Sequence, residues 1–192
     1  MRRTAALLLT AALVTLGATA CGPTDSSVST TAKTTAPAAG AAGTAKGSAA
    51  PAKSSAAKLG DTIGLKGTEA GNTADVTVVK LTDNAEGADE FTKPADGKRF
   101  VAVQFRIKAT GAKGYNDAPQ NSAKLIDAQG QAYGATVADT KAGPAFQVPA
   151  AIASGESALG FVTFEVPADA KPSKVQFALD SGFAQQTGQW TL

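Results

Sequence analysis

The chain has 192 residues, 18 of them basic and 16 acidic, with no histidine and a single cysteine, Cys21. That length allows one core of ordinary size. Without histidine there is no imidazole base, no catalytic triad and no histidine-ligated zinc or copper site, and the near-balance of charge leaves no basic stripe of the kind nucleic-acid binders need.

Residues 1–20 read as a secretory signal. Arg2 and Arg3 form a short positive start, Ala5 to Leu16 an apolar stretch, and Ala18 and Ala20 are small residues before a cleavage point. The apolar stretch falls short of the roughly 20 residues that cross a bilayer as a helix. A lone cysteine directly after the cut is unusual in an exported chain, where cysteines normally pair. The run Leu16-Gly17-Ala18-Thr19-Ala20-Cys21 resembles a lipobox, with Ala18 in place of the usual Leu. That resemblance implies a diacylglycerol thioether on Cys21, whose multiple acyl chains would tether the protein stably to the membrane.

From Cys21 to Ala57 the composition shifts to Ala, Thr, Ser, Gly, Pro and Lys, with Val28 the only branched apolar residue. Such a stretch buries too little apolar surface to offset the entropy of ordering, so 21–57 is expected to be a disordered linker. As a flexible chain it would span roughly 30–35 Å on average, and stretched out about 120 Å. Its Ser and Thr density also permits O-glycosylation.

Lys58 to Leu192 is expected to form one all-β domain, an immunoglobulin-like β-sandwich. Leu59–Lys66 and Asp75–Thr82 are β-prone runs separated by Gly67, Gly71 and Asn72. The clearest strand is Arg99–Ala109, in which Val101, Val103, Phe105 and Ile107 alternate with Ala102, Gln104, Arg106 and Lys108. This is the period of two that marks a strand with one wet face. Asp127-Ala128-Gln129-Gly130 reads as a hairpin turn between Lys124–Asp127 and Ala132–Gly134. Gly160–Val166 and Lys174–Leu179 follow, with Val162, Phe164 and Val166 facing inward. Gln185 to Leu192 closes the domain as a last strand with Trp190 packed on the sandwich. Short strands punctuated by Gly and Pro, without a long amphipathic helix, point to a sandwich.

Three stretches occur in one order: Gly97-Lys98-Arg99-Phe100-Val101-Ala102-Val103, Asp127-Ala128-Gln129-Gly130-Gln131-Ala132-Tyr133, and Gly155 followed by Gly160-Phe161-Val162-Thr163-Phe164-Glu165-Val166-Pro167. That order resembles domain of unknown function 4352, a telokin-like, immunoglobulin-like sandwich of Gram-positive lipoproteins and secreted antigens, over about Gly60 to Leu179. At Ala109-Thr110-Gly111 the sequence departs from the Asn that members often carry after the central strand. The resemblance implies a fold and an exported setting, and it carries over no catalytic or binding residue.

Candidate sites are few. Asp83, Glu86, Asp89, Glu90 and Asp96 crowd the loop before the central strand. Carboxylates are ligands for a hard cation such as Ca²⁺, although the spacing matches no EF-hand loop and a solvated acidic loop explains them. Tyr115 and Trp190 are candidate contacts for a glycan or a partner, although a core lid or strand-end plug is the preferred explanation of each. With Cys21 acylated and Met1 removed, soft-metal ligands are lacking, and no cofactor is expected. The expectation is therefore a lipid-anchored, non-catalytic interaction or binding domain on the extracellular face of the membrane, meeting an envelope protein or a cell-wall glycan. The alternative is a lipoprotein that captures a solute or glycan for a neighbouring transporter or enzyme. A protein-binding module calls for an exposed apolar patch or open sheet edge, and a solute binder for a concave pocket.

Overall fold

Alternating side chains over Lys98–Ala109 place Val101, Val103, Phe105, Ile107 and Ala109 on one buried face, and the rest of the molecule is built around that strand. The computed structural model describes residues 26–33 and 56–192. The signal (1–20), Cys21 and most of the linker, including 34–55, lie outside the described residues.

The strands are β1 (Ser27–Ser29), β2 (Thr62–Lys66), β3 (Thr73–Ala85), β4 (Lys98–Ala109), β5 (Tyr115–Asp117), β6 (Ala123–Asp127), β7 (Ala132–Thr136), β8 (Ala150–Ile152), β9 (Ser157–Pro167), β10 (Pro172–Ala178) and β11 (Gln186–Thr191). A single helical turn, α1 (Pro119–Ser122), and a 3₁₀ turn at Asp180–Gly182 complete the described elements. The main ladder runs β1-β11-β10-β6-β7-β9-β4-β3-β2, and β5 pairs separately with β8.

The ladder folds back on itself at β7. This strand pairs with β6 through Ala132–Gly134 and with β9 through Ala135 and Thr136, so one short strand belongs to both layers. The result is an all-β, immunoglobulin-like sandwich. Between its layers Phe105 of β4 meets Phe177 of β10, ring centres 5.3 Å apart and planes tilted at 50°, a favourable edge-to-face type of contact. Phe164, Leu125, Val175, Leu65 and Trp190 fill the space around them.

β4 departs from its expected pattern in one respect. Its expected wet face is wet only at Gln104, Arg106 and Lys108. At the other end Phe100 and Ala102 are buried, and with Ala85 and Phe161 they form a second, smaller core on the outside of the sheet. Residues 137–149 cross this outer face and cover it. The crossing is tight at Gly160, where a Cβ would meet the Phe146 ring carbons at 2.7–2.9 Å, so only glycine leaves room for that ring.

Part of the linker also departs from expectation. Residues 27–33, expected to be disordered, lie on the domain: Ser27, Val28 and Ser29 pair in parallel with Gln186, Thr187 and Gly188. Thr31 bridges to Ala56, and Ala57 is fully buried. The physical reason is the exposed edge of β11, whose unpaired N–H and C=O groups accept a backbone whatever its side chains.

Candidate interaction surface

Among the described residues, Phe91, Val137 and Val148 are large apolar side chains left mostly in water; Phe91 is 87% exposed. All three sit on two loops over the outer face of β4 and β9. The first loop, 86–96, begins where β3 breaks register with β4 between Thr82 and Ala85, with Asn84 at a φ of 50°. A bulge of this kind bends the strand and re-aims the chain that follows it. The second is the 137–149 crossing.

Backbone bonds stitch the loops together. The Ala88 N–H donates to the Asp139 carbonyl and the Lys141 N–H to the Glu86 carbonyl, both at 2.9 Å, and Gly87 bridges to Thr140. The Lys141 ammonium adds an ion pair with Glu86 at 2.9 Å, a surface pair that contributes little by itself. Inside the first loop the Asp89 carboxylate accepts the N–H groups of Phe91 and Thr92, fixing the turn that presents Phe91. The loop end is fastened by Glu165 of β9, which accepts the Ala95 N–H at 2.8 Å and pairs with Lys98 at 3.0 Å. Those two contacts, the Ala95 bond foremost, hold the Glu165 carboxyl below its ordinary range.

Beneath the second loop runs an apolar groove of about 280 Å³, floored by Phe161 and Phe146 and walled by Val137, Val148, Ala138 and Ala145. Gln120 lies at its edge and donates weakly to the Phe146 carbonyl at 3.4 Å. The Lys80 ammonium stands 5.7 Å from the centre of the Phe161 ring, within cation–π range. A second cleft shares Val137, Ala138 and Asp139 and extends to Phe91, Lys93 and Glu165. The surface is thus a strip of apolar side chains rimmed by Lys93, Asp139 and Glu165, firm in its backbone.

Behind the strip, Arg99 clamps the surrounding turns. Its Nε and Nη2 donate to the two Asp83 oxygens at 2.7 and 3.2 Å. Its Nη1 donates to the carbonyls of Pro167 and Ala168 at 2.8 and 3.0 Å, and Nη2 also to that of Ala170 at 2.9 Å. The five N–H groups of a guanidinium are all engaged. The bond from Arg99 holds the Asp83 carboxyl below its ordinary value, against a smaller opposing effect of burial.

The sequence candidates fall differently. Asp83 faces Arg99, Glu86 faces Lys141, Asp89 is spent on its own loop, and Glu90 is exposed without a partner carboxylate. Among the described residues no three acidic, histidine or cysteine side chains gather where a metal ion could sit, so the suggested Ca²⁺ ligands do not form a cage. Tyr115 and Trp190 are corrected as contact candidates, because both are buried. Trp190 packs in the core, its Nε1 donating to the Asp61 carbonyl at 2.9 Å. Tyr115 lies under α1 with its hydroxyl unbonded, and burial, with the nearby Asp117 charge, pushes the phenol pKa far upward. Phe91, Val137 and Val148 went unremarked in the sequence. The usable signal was Phe91 itself, a lone aromatic amid Asp89, Glu90 and Lys93.

The Asp127 hairpin is structural, as its sequence suggests. The carboxylate accepts the N–H groups of Gln129 and Gln131 and the Tyr133 hydroxyl at 2.8–2.9 Å. Burial works against its charge, but these bonds outweigh it and the pKa is lowered.

The family model described as Domain of unknown function (DUF4352) matches residues 66–187. The chain belongs to this family. No curated protein matches it significantly. Among solved structures it is similar to MPT63, a secreted protein of Mycobacterium tuberculosis, with 19% identity and a TM-score of 0.52 over 70% of this chain and 95% of that one. That likeness shows the sandwich fold. It is also similar to the ycdA protein of Bacillus subtilis, a candidate lipoprotein, at 14% identity and a TM-score of 0.49, covering 67% of this chain and 38% of the other.

Proposed function

We propose that this member of the family is an exported, lipid-anchored envelope protein whose sandwich is a non-catalytic interaction domain for a protein partner. The observation that carries the reading is the strip of exposed Phe91, Val137 and Val148 along the groove and its adjoining cleft. Apolar side chains are held in water by stitched backbone, which costs solvation and is recovered when a partner covers them. The signal-like start and Cys21 support export and anchoring, and the secreted character of MPT63 supports export. The buried Tyr115 and Trp190 take no part in glycan stacking. Asp83, Glu86, Asp89 and Glu165 near the strip pair with Arg or Lys or hold loop backbone, which is structural work and supports a non-catalytic reading.

The test is a cross-linking pull-down from intact cells using the full protein, the double variant Val137→Asp/Val148→Asp, and Lys124→Glu on the exposed face of β6. All three positions are solvent-facing, so folding is expected to be unchanged. A partner captured by the wild type and by Lys124→Glu, and lost with the double variant, is the expected result. Equal capture by all three removes this surface from the account, and no partner at all removes the interaction reading.

A further inference from the structure

The chain enters the fold at one pole of the sandwich. The Ser27 N–H donates to the Gln185 carbonyl at 2.9 Å, and β1 then runs alongside β11. The segment next crosses to the other layer: the Thr30 carbonyl accepts the Ala57 N–H, and the Lys33 N–H donates to the Thr62 carbonyl, each at 2.7 Å. The Lys33 ammonium also grips both Asp75 oxygens at 2.7 Å. Since β11 and β2 end their respective layers, residues 27–33 close the seam opposite β7. Strand directions put Ser27 at the same end as the 67–72 turn, the 110–114 turn and residues 179–185.

That end presents Phe183, 82% exposed, between buried Leu179 and Ala184. The backbone leading to it is strained: Asp180, Ser181 and Gly182 have φ of 56°, 54° and 87°, and two of them carry a Cβ. Five hydrogen bonds hold the arrangement. The Asp180 carboxylate accepts from the Thr68 N–H, the Thr68 hydroxyl and the Asn72 amide. The Asp117 carboxylate accepts from the Ser181 N–H and hydroxyl. Strain that is held in place by dedicated partners points to a use for what it displays, here an aromatic ring facing water.

We propose that this pole rests against the lipid bilayer, with Phe183 seated at the boundary between headgroups and acyl chains. The inference rests on the reading that Cys21 carries the lipid. Cys21 lies six positions before Ser27, so with β1 docked the tether reaches at most about 20 Å. Were the whole of 27–33 not docked, the first residue fixed to the domain would be Ala57, whose carbonyl accepts the Thr191 N–H, and the reach would be about 120 Å. Docking of β1 thus turns a long leash into a short one and selects which pole faces the membrane. The charged side chains there are Lys66, Lys113, Glu69, Glu156, Asp117 and Asp180, with Lys113 paired to Glu69. Two positive against four negative side chains leave this pole slightly acidic, so the contact owes nothing to attraction by anionic lipid; it is interfacial and apolar, and a neutral bilayer suffices. The 86–96 loop that carries Phe91, at the opposite end of β3 and β4, is then turned away from the membrane.

The experiment supplies the anchor chemically. The chain from Cys21 to Leu192 is coupled through the Cys21 thiol to maleimide-headgroup lipid in phosphatidylcholine vesicles, and amide hydrogen exchange is compared with the uncoupled chain. Exchange over 179–185 and 67–72 is expected to slow by about threefold or more, with 86–96 unchanged. Phe183→Ser is expected to remove most of that slowing. Ser27→Pro combined with Lys33→Ala, which deletes the N–H bonded to Gln185 and the ammonium bonded to Asp75, is expected to reduce it by loosening the short tether. Unchanged exchange at 179–185, or slowing at 86–96 instead, overturns the proposal. The anchor itself is tested separately: Cys21→Ala retained in the membrane fraction of cells overturns lipidation, whereas a negative vesicle result overturns only the membrane-facing pole.

Discussion

Replacing Arg99 by Lys keeps the positive charge and removes the fork, which isolates the clamp behind the interaction surface. In the native fold the guanidinium bonds to two Asp83 oxygens and to the carbonyls of Pro167, Ala168 and Ala170. The Asp83 pair is a minor part, because that carboxylate is 44% exposed and exposed pairs contribute about 0–1 kcal/mol. A lysine ammonium can keep that pair or reach one of the carbonyls, so two or three charge-assisted bonds to carbonyls are lost. At about 1 kcal/mol net each, part of it recovered by water, the cost is about 2 kcal/mol. With a urea slope of about 2 kcal/mol per molar, the unfolding midpoint falls by about 1 M. The assay is urea unfolding followed by Trp190 fluorescence, with Asp83→Asn as the comparison. A midpoint for Arg99→Lys within about 0.2 M of wild type, or a larger loss in Asp83→Asn, refutes the reasoning that the carbonyl bonds dominate.

Phe164, fully buried between the layers, is expected to cost about 3–5 kcal/mol on truncation to Ala, read from the same urea titration. Gly160→Ala forces the Phe146 ring off β9, so the variant is expected to expose the groove floor and bind an apolar dye more strongly than wild type, with a stability loss of about 1–3 kcal/mol. Acid stability follows from the lowered carboxyls Asp83, Asp89, Asp127 and Glu165. Each is depressed in the folded state, so each contributes stability above its unfolded pKa and loses it as pH falls through the folded one. The urea midpoint is expected to be flat near neutrality and to drop below the ordinary carboxyl values of 3.8 and 4.5. Asp127→Asn is expected to make that acid limb shallower.

What the sequence made legible was whatever side chains encode. The period of two over β4, the Asp127-to-Gly130 hairpin and the placement of Trp190 in a last strand follow from patterning and turn chemistry, and the structure has them. β1 was not legible because its pairing is a matter of backbone groups on an open edge; Val28 and the neighbouring threonines were faint β signals within Ala and Gly. Burial of both faces at Ala102 and Phe161 depends on where residues 137–149 return, a long-range fact with no local trace. The candidate surface was hidden for a similar reason. An apolar residue in a loop reads the same whether it folds under or stands out, and only the Asp89 turn and the stitched loops leave Phe91 outside.

The most direct measurement is photocrosslinking in living cells, with a photoreactive side chain at position 137 and, as the control, at position 124 on the opposite layer. The interaction reading predicts a discrete adduct of defined mass from 137, absent from 124 and lost when Phe91 is changed to Asp. Equal adducts from both positions, or none from 137 in membranes that retain the protein, would contradict it.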